Sequence, residues 1–321
     1  MTPQDAPFTT AVKPYGRAAI EEAARLILEG LPVAVPTETV YGLAADATNP
    51  DAVARIYEAK GRPSYNPLII HVADLAQAEA VADLPDAAHA LASAYWPGAL
   101  TLVVPQRERS GIAPAATAGL PTVALRSPAH PAMQDLLAAC GRPLAAPSAN
   151  ASGGISPTSA DHVLSTLRGR IKLIIDGGPT EHGIESTILG FNEGRLTLLR
   201  PGPLDFAELA AAAQLLAGPA PGGIEAPGQL ASHYAPTKPL RLNAAQPQPG
   251  EWMIGFGSSG GDDNLSPEGS LVEAASRLFR SLHRADAQAR PRIAVAPIPE
   301  EGVGIAINDR LRRASAPRHQ G

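Results

Sequence analysis

Three short segments set cations at or near the end of an apolar run: Lys60-Gly-Arg62-Pro, Leu125-Arg126-Ser-Pro and Leu199-Arg200-Pro-Gly. Guanidinium forks match the oxygens of phosphates and carboxylates, so Lys60, Arg62, Arg126 and Arg200 together suit a polyanion. Residues 147–158 (PSANASGGISPT) offer hydroxyls, amides and closely approaching backbone N–H groups to the same anion. Residues 36–43 (PTETVYGL) bring two threonines and a carboxylate to the end of another apolar run, and residues 68–72 put His71 inside one. Residues 176–187 (DGGPTEHGIEST) leave a strand pattern through two glycines.

Taken singly, these features are ordinary: an arginine at a strand end is often solvated, and a histidine in a strand is often structural. No H-E-x-x-H or similar spacing builds a metal site, and no G-x-S-x-G elbow supports a serine hydrolase. There is no P-loop signature. Gly255-x-Gly257-x-x-Gly260 has the dinucleotide spacing, but GDDNLSP follows it instead of a helix, so it reads as a plain glycine-rich loop. The residues alone describe an anion- or nucleotide-binding α/β protein.

The elements that must hold these residues alternate unevenly. The spacing predicts helices over 17–29, from Asn49-Pro50 to Lys60, and over 86–95, 131–139, 159–167, 271–283 and 306–315. Strands are expected at 31–35, 68–72, 100–104, 122–126, 144–146, 173–176, 186–191 and 195–200, then at 240–242, 252–256 and 292–297. The late strands follow one another at hairpin distance, which points to a twisted mixed sheet and not a regular parallel one. Residues 10–216 read as one domain and 217–239, rich in Pro and Gly, as a semi-rigid linker. Residues 240–315 then form a small second α/β domain.

The chain has 321 residues, of which 45% are hydrophobic, enough for a sizeable core. The 30 glycines and 33 prolines make about a fifth of the chain, so turns are frequent. A net charge of −5 and few aromatics speak against a surface built for long nucleic acid. The one cysteine, Cys140, excludes an internal disulfide and any cysteine-built metal site. The first residues lack a basic segment followed by an apolar run, so a cytoplasmic location without membrane spans is expected.

The ordered set PTETVYGL, KGRP, NPLIIHV, WPGALTLVV, LRSP, PSANASGGISPT, IESTI and LRPG resembles the YrdC-like domain of threonylcarbamoyl-adenylate synthases. SHYAP at 232–236 and NDRLRRA at 308–314 are similar to the long, two-domain form of that family. The resemblance implies a twisted mixed-sheet α/β domain with a concave basic cavity and a smaller Rossmann-like C-terminal domain. It also implies synthesis of threonylcarbamoyl-AMP from L-threonine, bicarbonate and ATP with release of pyrophosphate. A downstream threonylcarbamoyl-transferase complex would then use the product on adenosine 37 of ANN-decoding tRNAs.

Carried over to this chain, Lys60 and Arg62 resemble the catalytic cations. With Asn66, Thr122, Ser148, Asn150, Ser156, Arg200, His233 and Tyr234 they look like the ATP site. Thr39, His71, Arg126, the backbone at Ala146, and Ser186 resemble the threonine site, and His71 is a candidate base by its chemistry. The family implies Mg²⁺ brought with ATP, no metal held by protein side chains and no tightly bound cofactor. Two other readings are a nucleic-acid-binding module, which the charge disfavours, and a carbamoyl-transfer domain of hydrogenase-maturation type. The latter carries cysteine-rich zinc regions that this chain lacks.

Overall fold

The computed structural model describes residues 8–192, 194–218 and 233–317. In chain order its strands and helices are β1 (Ala11–Pro14), α1 (Arg17–Leu28), β2 (Val33–Val35), β3 (Gly42–Asp46), α2 (Pro50–Lys60), β4 (Ile69–His71), α3 (Leu75–Val81), α4 (Asp86–Tyr95), β5 (Leu100–Pro105) and β6 (Thr122–Arg126). Then come α5 (Pro131–Cys140), β7 (Leu144–Ala145), α6 (Ala160–Leu167), β8 (Leu173–Asp176), β9 (Thr187–Asn192), β10 (Arg195–Arg200), α7 (Phe206–Ala213) and β11 (Ala217–Gly218). The C-terminal part holds β12 (Leu240–Arg241), β13 (Glu251–Gly255), β14 (Asp263–Asn264), α8 (Leu271–Asp286), β15 (Arg292–Val295) and α9 (Gly304–Ser315).

Among the described residues the first eleven strands form one sheet, ordered β1-β8-β2-β3-β7-β4-β6-β5-β9-β10-β11. It is mixed: β4–β6 and β5–β9 are parallel, whereas β5–β6, β4–β7 and β9–β10 are antiparallel. The four remaining strands make a parallel sheet ordered β12-β15-β13-β14, as the Rossmann-like expectation requires.

Alternation along the strands decides which side chains reach which layer. Ile70, Leu102, Val104, Val123, Leu125 and Leu189 join a core with residues of α2, α4, α6 and α7. The residues between them face the other way: Ile69, Val103, Ala124 and Ile188 form a separate apolar patch with Leu199. His71, two residues after Ile69, and Arg126, two after Ala124, share that second face. Toward the other end of the sheet, Val33, Val35, Ala44 and Leu173 pack with α1 and α5.

Local signals explain the helix starts. The Asn49 side chain accepts from the N–H groups of Asp51 and Ala52, with Pro50 at the first position of α2, and Gly61 closes that helix at φ 61°. Other elements escaped the sequence reading. β1 (AVKP) has no apolar alternation, and α3 is a short helix with only Ala78 and Val81 buried. Gly255 ends β13 and the chain passes to β14, with no helix until Leu271, so the G-x-G-x-x-G segment is a loop between strands. Most of the predicted linker, residues 219–232, lies outside the described residues. No helix among the described residues is long and apolar enough to cross a membrane.

Candidate active site

Thr37, Thr39, Val40, Gly42, Arg62, Ile69, His71, Arg126, Ala146, Pro147, Ser148, Glu185, Ser186, Arg200, His233 and Tyr234 line a cavity of about 50 Å³. The β2–β3 connection supplies its threonines. Thr37 Oγ1 donates to Val40 O at 2.7 Å and lies 2.8 Å from Thr39 Oγ1, which ties the loop into a compact turn. Residues 146–150 form the facing wall, with the Ala146 N–H donating to Ile69 O at 3.0 Å.

The three guanidinium groups are held differently. Arg62 donates through Nε to Asn66 O at 3.2 Å and through Nη2 to Pro67 O at 2.9 Å, and among the described residues Nη1 has no partner. Burial lowers its pKa to about 10, and Arg200 adds to the effect. Arg200 donates to the backbone oxygen and the hydroxyl of Ser186. Arg126 donates from Nε to Gly98 O at 3.1 Å, from Nη1 to Thr39 Oγ1 at 2.9 Å and from Nη2 to Glu38 Oε1 at 2.5 Å. Among the described residues one N–H on each terminal nitrogen of Arg126 has no acceptor, which suits a carboxylate. Burial alone would raise the pKa of Glu38, but Arg126 holds it below the usual carboxylate value.

Several polar atoms have no partner. His71 Nδ1, His233 Nδ1 and Tyr234 Oη are buried without a hydrogen bond, as is Asn66 Oδ1 nearby. Orphaned buried polar atoms are costly, so a cluster of them beside a cavity marks a place for ligand or water. Burial, reinforced by Arg126, pushes His71 down to about 3. It is neutral at pH 7 and too weak a proton acceptor for an ammonium group, which argues against the base role its chemistry suggested. His233 is also pushed well below its usual value by burial and by Arg62, Lys60, Arg200 and Arg310.

The cavity does not take in every residue expected at the site. Lys60 is buried and donates from Nζ to the carbonyls of Ser148 and Asn150, both at 2.6 Å. Burial drives its pKa well down, and Arg62 adds to this. Its contacts hold the serine–asparagine loop. Asn150 stands behind that loop, accepting from Ser148 Oγ and donating to Ala151 O and Gly154 O. Ser156 Oγ donates to Glu185 Oε1 at 2.5 Å. Thr122 sits at the opposite end of β6 from Arg126, about 13 Å along the strand.

Sequence reasoning assigned no role to Thr37, Glu38, Glu185 or Arg310, although each lies within a quoted motif. The usable signal was a lone charge among apolar and hydroxyl residues, which must find a partner if buried. Arg310 Nε, on α9, lies 2.9 Å from Glu185 Oε2. Among the described residues Glu185 is the one carboxylate of the lining, and each of its oxygens accepts a hydrogen bond. Among the described residues no group of three or more His, Cys, Asp or Glu could hold a metal ion.

Residues 25–202 match the family model described as "Telomere recombination", which spans Sua5, YciO and YrdC proteins, and residues 204–316 match "Threonylcarbamoyl-AMP synthase, C-terminal domain". The chain is 40% identical to the threonylcarbamoyl-AMP synthase of Bacillus subtilis, covering 93% of each chain. It is 42% identical to that of Pyrococcus abyssi, over 94% of this chain and 97% of the relative. Among solved structures it resembles P. abyssi Sua5 complexed with L-threonine, with TM-score 0.85 and 39% identity over 96% of this chain and 97% of the other. A P. abyssi Sua5 variant with a histidine and the adjacent tyrosine replaced by alanine has TM-score 0.86 and 37% identity over 96% of both chains.

Proposed function

Because the chain belongs to the long, two-domain Sua5 form of the threonylcarbamoyl-AMP synthase family, a nucleotidyltransferase family, we propose that it makes L-threonylcarbamoyl-AMP from L-threonine, bicarbonate and ATP. The observation that carries this reading is the cavity walled by Arg62, Arg126 and Arg200, where Glu185 is the one carboxylate in the wall among the described residues. Such an excess of buried cations calls for anionic substrates.

In this reading the free N–H pair of Arg126 takes the threonine carboxylate, with Thr39, His71, Ser186 and the backbone at Ala146 around the rest of the amino acid. Arg62 Nη1 and Arg200 face the phosphates. Ser148, and behind it Lys60, Asn66, Asn150 and Ser156, shape the loops that the nucleotide meets, with Thr122 at the edge. The amine attacks bicarbonate, forming a C–N bond and releasing water. A carbamate oxygen then attacks the α-phosphorus, and pyrophosphate leaves. Two anions are forced together, so the cations screen their repulsion and the charge that develops. The remainder is positioning. Mg²⁺ would come held by the phosphates of ATP.

A volume of about 50 Å³ holds a few waters or a bicarbonate but not ATP. His233 and Tyr234 line the cavity, and in this reading they move aside to admit ATP and pack over the bound substrates for chemistry. Tyr234 supports this: its φ is 64°, a left-handed value unfavourable for a bulky residue, and its hydroxyl is buried without a partner. The product would pass to a cytoplasmic threonylcarbamoyl-transferase complex acting on adenosine 37 of ANN-decoding tRNAs. The test is mass spectrometry of the product made from ¹³C-bicarbonate. Threonylcarbamoyl-AMP carrying one label supports the reading, and unlabelled AMP alone contradicts it.

A further inference from the structure

Arg126 lines the cavity, whereas Glu38, which is also buried, lies outside that lining. The two side chains nonetheless form an ion pair. Arg126 is held at three points: Nε by Gly98 O, Nη1 by Thr39 Oγ1 and Nη2 by Glu38 Oε1.

The three acceptors are themselves fixed. Glu38 Oε2 accepts from the Ala129 N–H at 3.0 Å, and Glu38 O accepts from the His182 N–H at 2.8 Å. Thr37 gives its hydroxyl proton to Val40 O, so the Thr39 hydroxyl donates to Thr37 Oγ1 and keeps a lone pair for Arg126. The Gly98 N–H donates to Ser127 O at 2.7 Å, and a Cβ on Gly98 would lie 2.4 Å from Tyr95 O.

A carbonyl could satisfy a buried guanidinium without opposing its charge. A carboxylate cancels part of the charge with which Arg126 draws an anion. Glu38 therefore serves direction and not attraction. A ligand that must first order a long side chain binds less tightly, and an arginine fixed beforehand spares it that cost. Arg126 also repels Arg200, being among the groups that lower the Arg200 pKa. The bond to Glu38 keeps the fork in place against that repulsion.

We propose that Glu38 is a positioning residue for the amino-acid carboxylate. By spanning from the Ala129 N–H to Nη2 it orients Arg126, so that the N–H groups without acceptors among the described residues meet the carboxylate in register. This assignment rests on the threonine reading given above.

The test is calorimetric titration of the full chain with L-threonine and with L-threoninamide, which lacks the carboxylate, together with pyrophosphate release over a range of each substrate. The intact chain should prefer threonine. Glu38→Gln keeps the size but turns an amide N–H toward either Ala129 or Arg126, so one bond is lost. It should weaken threonine at least about tenfold and threoninamide little, raising KM for threonine with KM for ATP unchanged. Glu38→Asp keeps the charge but is a methylene short of the span, and should lose the preference too. A merely structural glutamate would lower the thermal midpoint without singling out threonine. A glutamate that only dilutes the charge of Arg126 would, on replacement by Gln, let threonine bind more tightly. The proposal is overturned if either folded variant binds threonine as tightly as the intact chain or more so, if threoninamide weakens equally, or if KM for ATP rises in step. No preference for threonine in the intact chain would instead overturn the threonine reading, and this assignment with it.

Discussion

Arg310 Nε on α9 lies 2.9 Å from Glu185 Oε2 in the wall of the cavity, and the arginine side chain is fully buried. Glu185 passes the contact on to Ser156, and the guanidinium lies over the Tyr234 ring at 5.5 Å from its centroid. The C-terminal domain thus supplies a buried arginine that backs the cavity wall at Glu185 and Tyr234. Burial alone would lower the pKa of Arg310, but Tyr234, Glu185 and Asp309 hold it above the ordinary arginine value. Replacing Arg310 by Gln strands a buried carboxylate and should cost about 3–5 kcal/mol. Urea unfolding measures this, and a loss under about 1 kcal/mol would show that the pair does not hold the domains together. Arg310→Met combined with Glu185→Gln should recover part of the loss.

Arg62→Ala should reduce kcat/KM for ATP by roughly 10- to 150-fold, since a lost charge-assisted contact costs about 1.5–3 kcal/mol. The same change takes a donor from the Pro67 carbonyl and one of two donors from that of Asn66, which keeps the Tyr57 hydroxyl, so a modest fall in thermal midpoint should accompany it. Unchanged pyrophosphate release from a folded variant would remove Arg62 from the site.

Replacing His233 and Tyr234 together by Ala should leave ATP binding in place while lowering the yield of product per pyrophosphate released. A carbamoyl-adenylate mixed anhydride is open to hydrolysis, and a closed lid keeps water from it. Measured together, the two products give the ratio. A ratio equal to that of the intact chain would reduce the pair to a tether.

Stability should fall as pH drops from about 7 toward 4. His71 and His162 are pushed to about 3 and His283 to about 4, burial being the largest cause in each. Below about 6.5 the unfolded chain takes up protons that these folded sites refuse, so each histidine removes up to about 1.4 kcal/mol per pH unit. Glu38 acts lower: its contribution is present above about pH 4.5 and is lost as pH falls through its depressed folded value. Unfolding midpoints from pH 7 to 4.5 give the slope, and His283→Asn should flatten it. A flat profile in the intact chain would contradict the burial of these imidazoles.

The frame of the fold was legible because its strands are apolar runs of the right length. Thr122–Arg126, Leu173–Asp176 and Arg195–Arg200 match their predicted ranges. β3 was hidden because a six-residue turn folds it back on β2, so 36–43 read as the end of one strand. At the site, period-two alternation makes it readable that His71 and Arg126 share a face. The partners are another matter. Glu38 meets Arg126, and Glu185 meets Arg310, only through a sheet order that no local spacing encodes. Lys60 looks like a substrate cation in sequence, yet its reach ends on two backbone carbonyls, which depends on where the serine–asparagine loop returns.

In the proposed reaction one cavity joins threonine, bicarbonate and ATP. Pyrophosphate release by the full chain, followed with each substrate left out in turn, tests it most directly. Release is expected only when ATP, L-threonine and bicarbonate are all present, with threonylcarbamoyl-AMP accumulating alongside. Release from ATP at the same rate without threonine or without bicarbonate would contradict it.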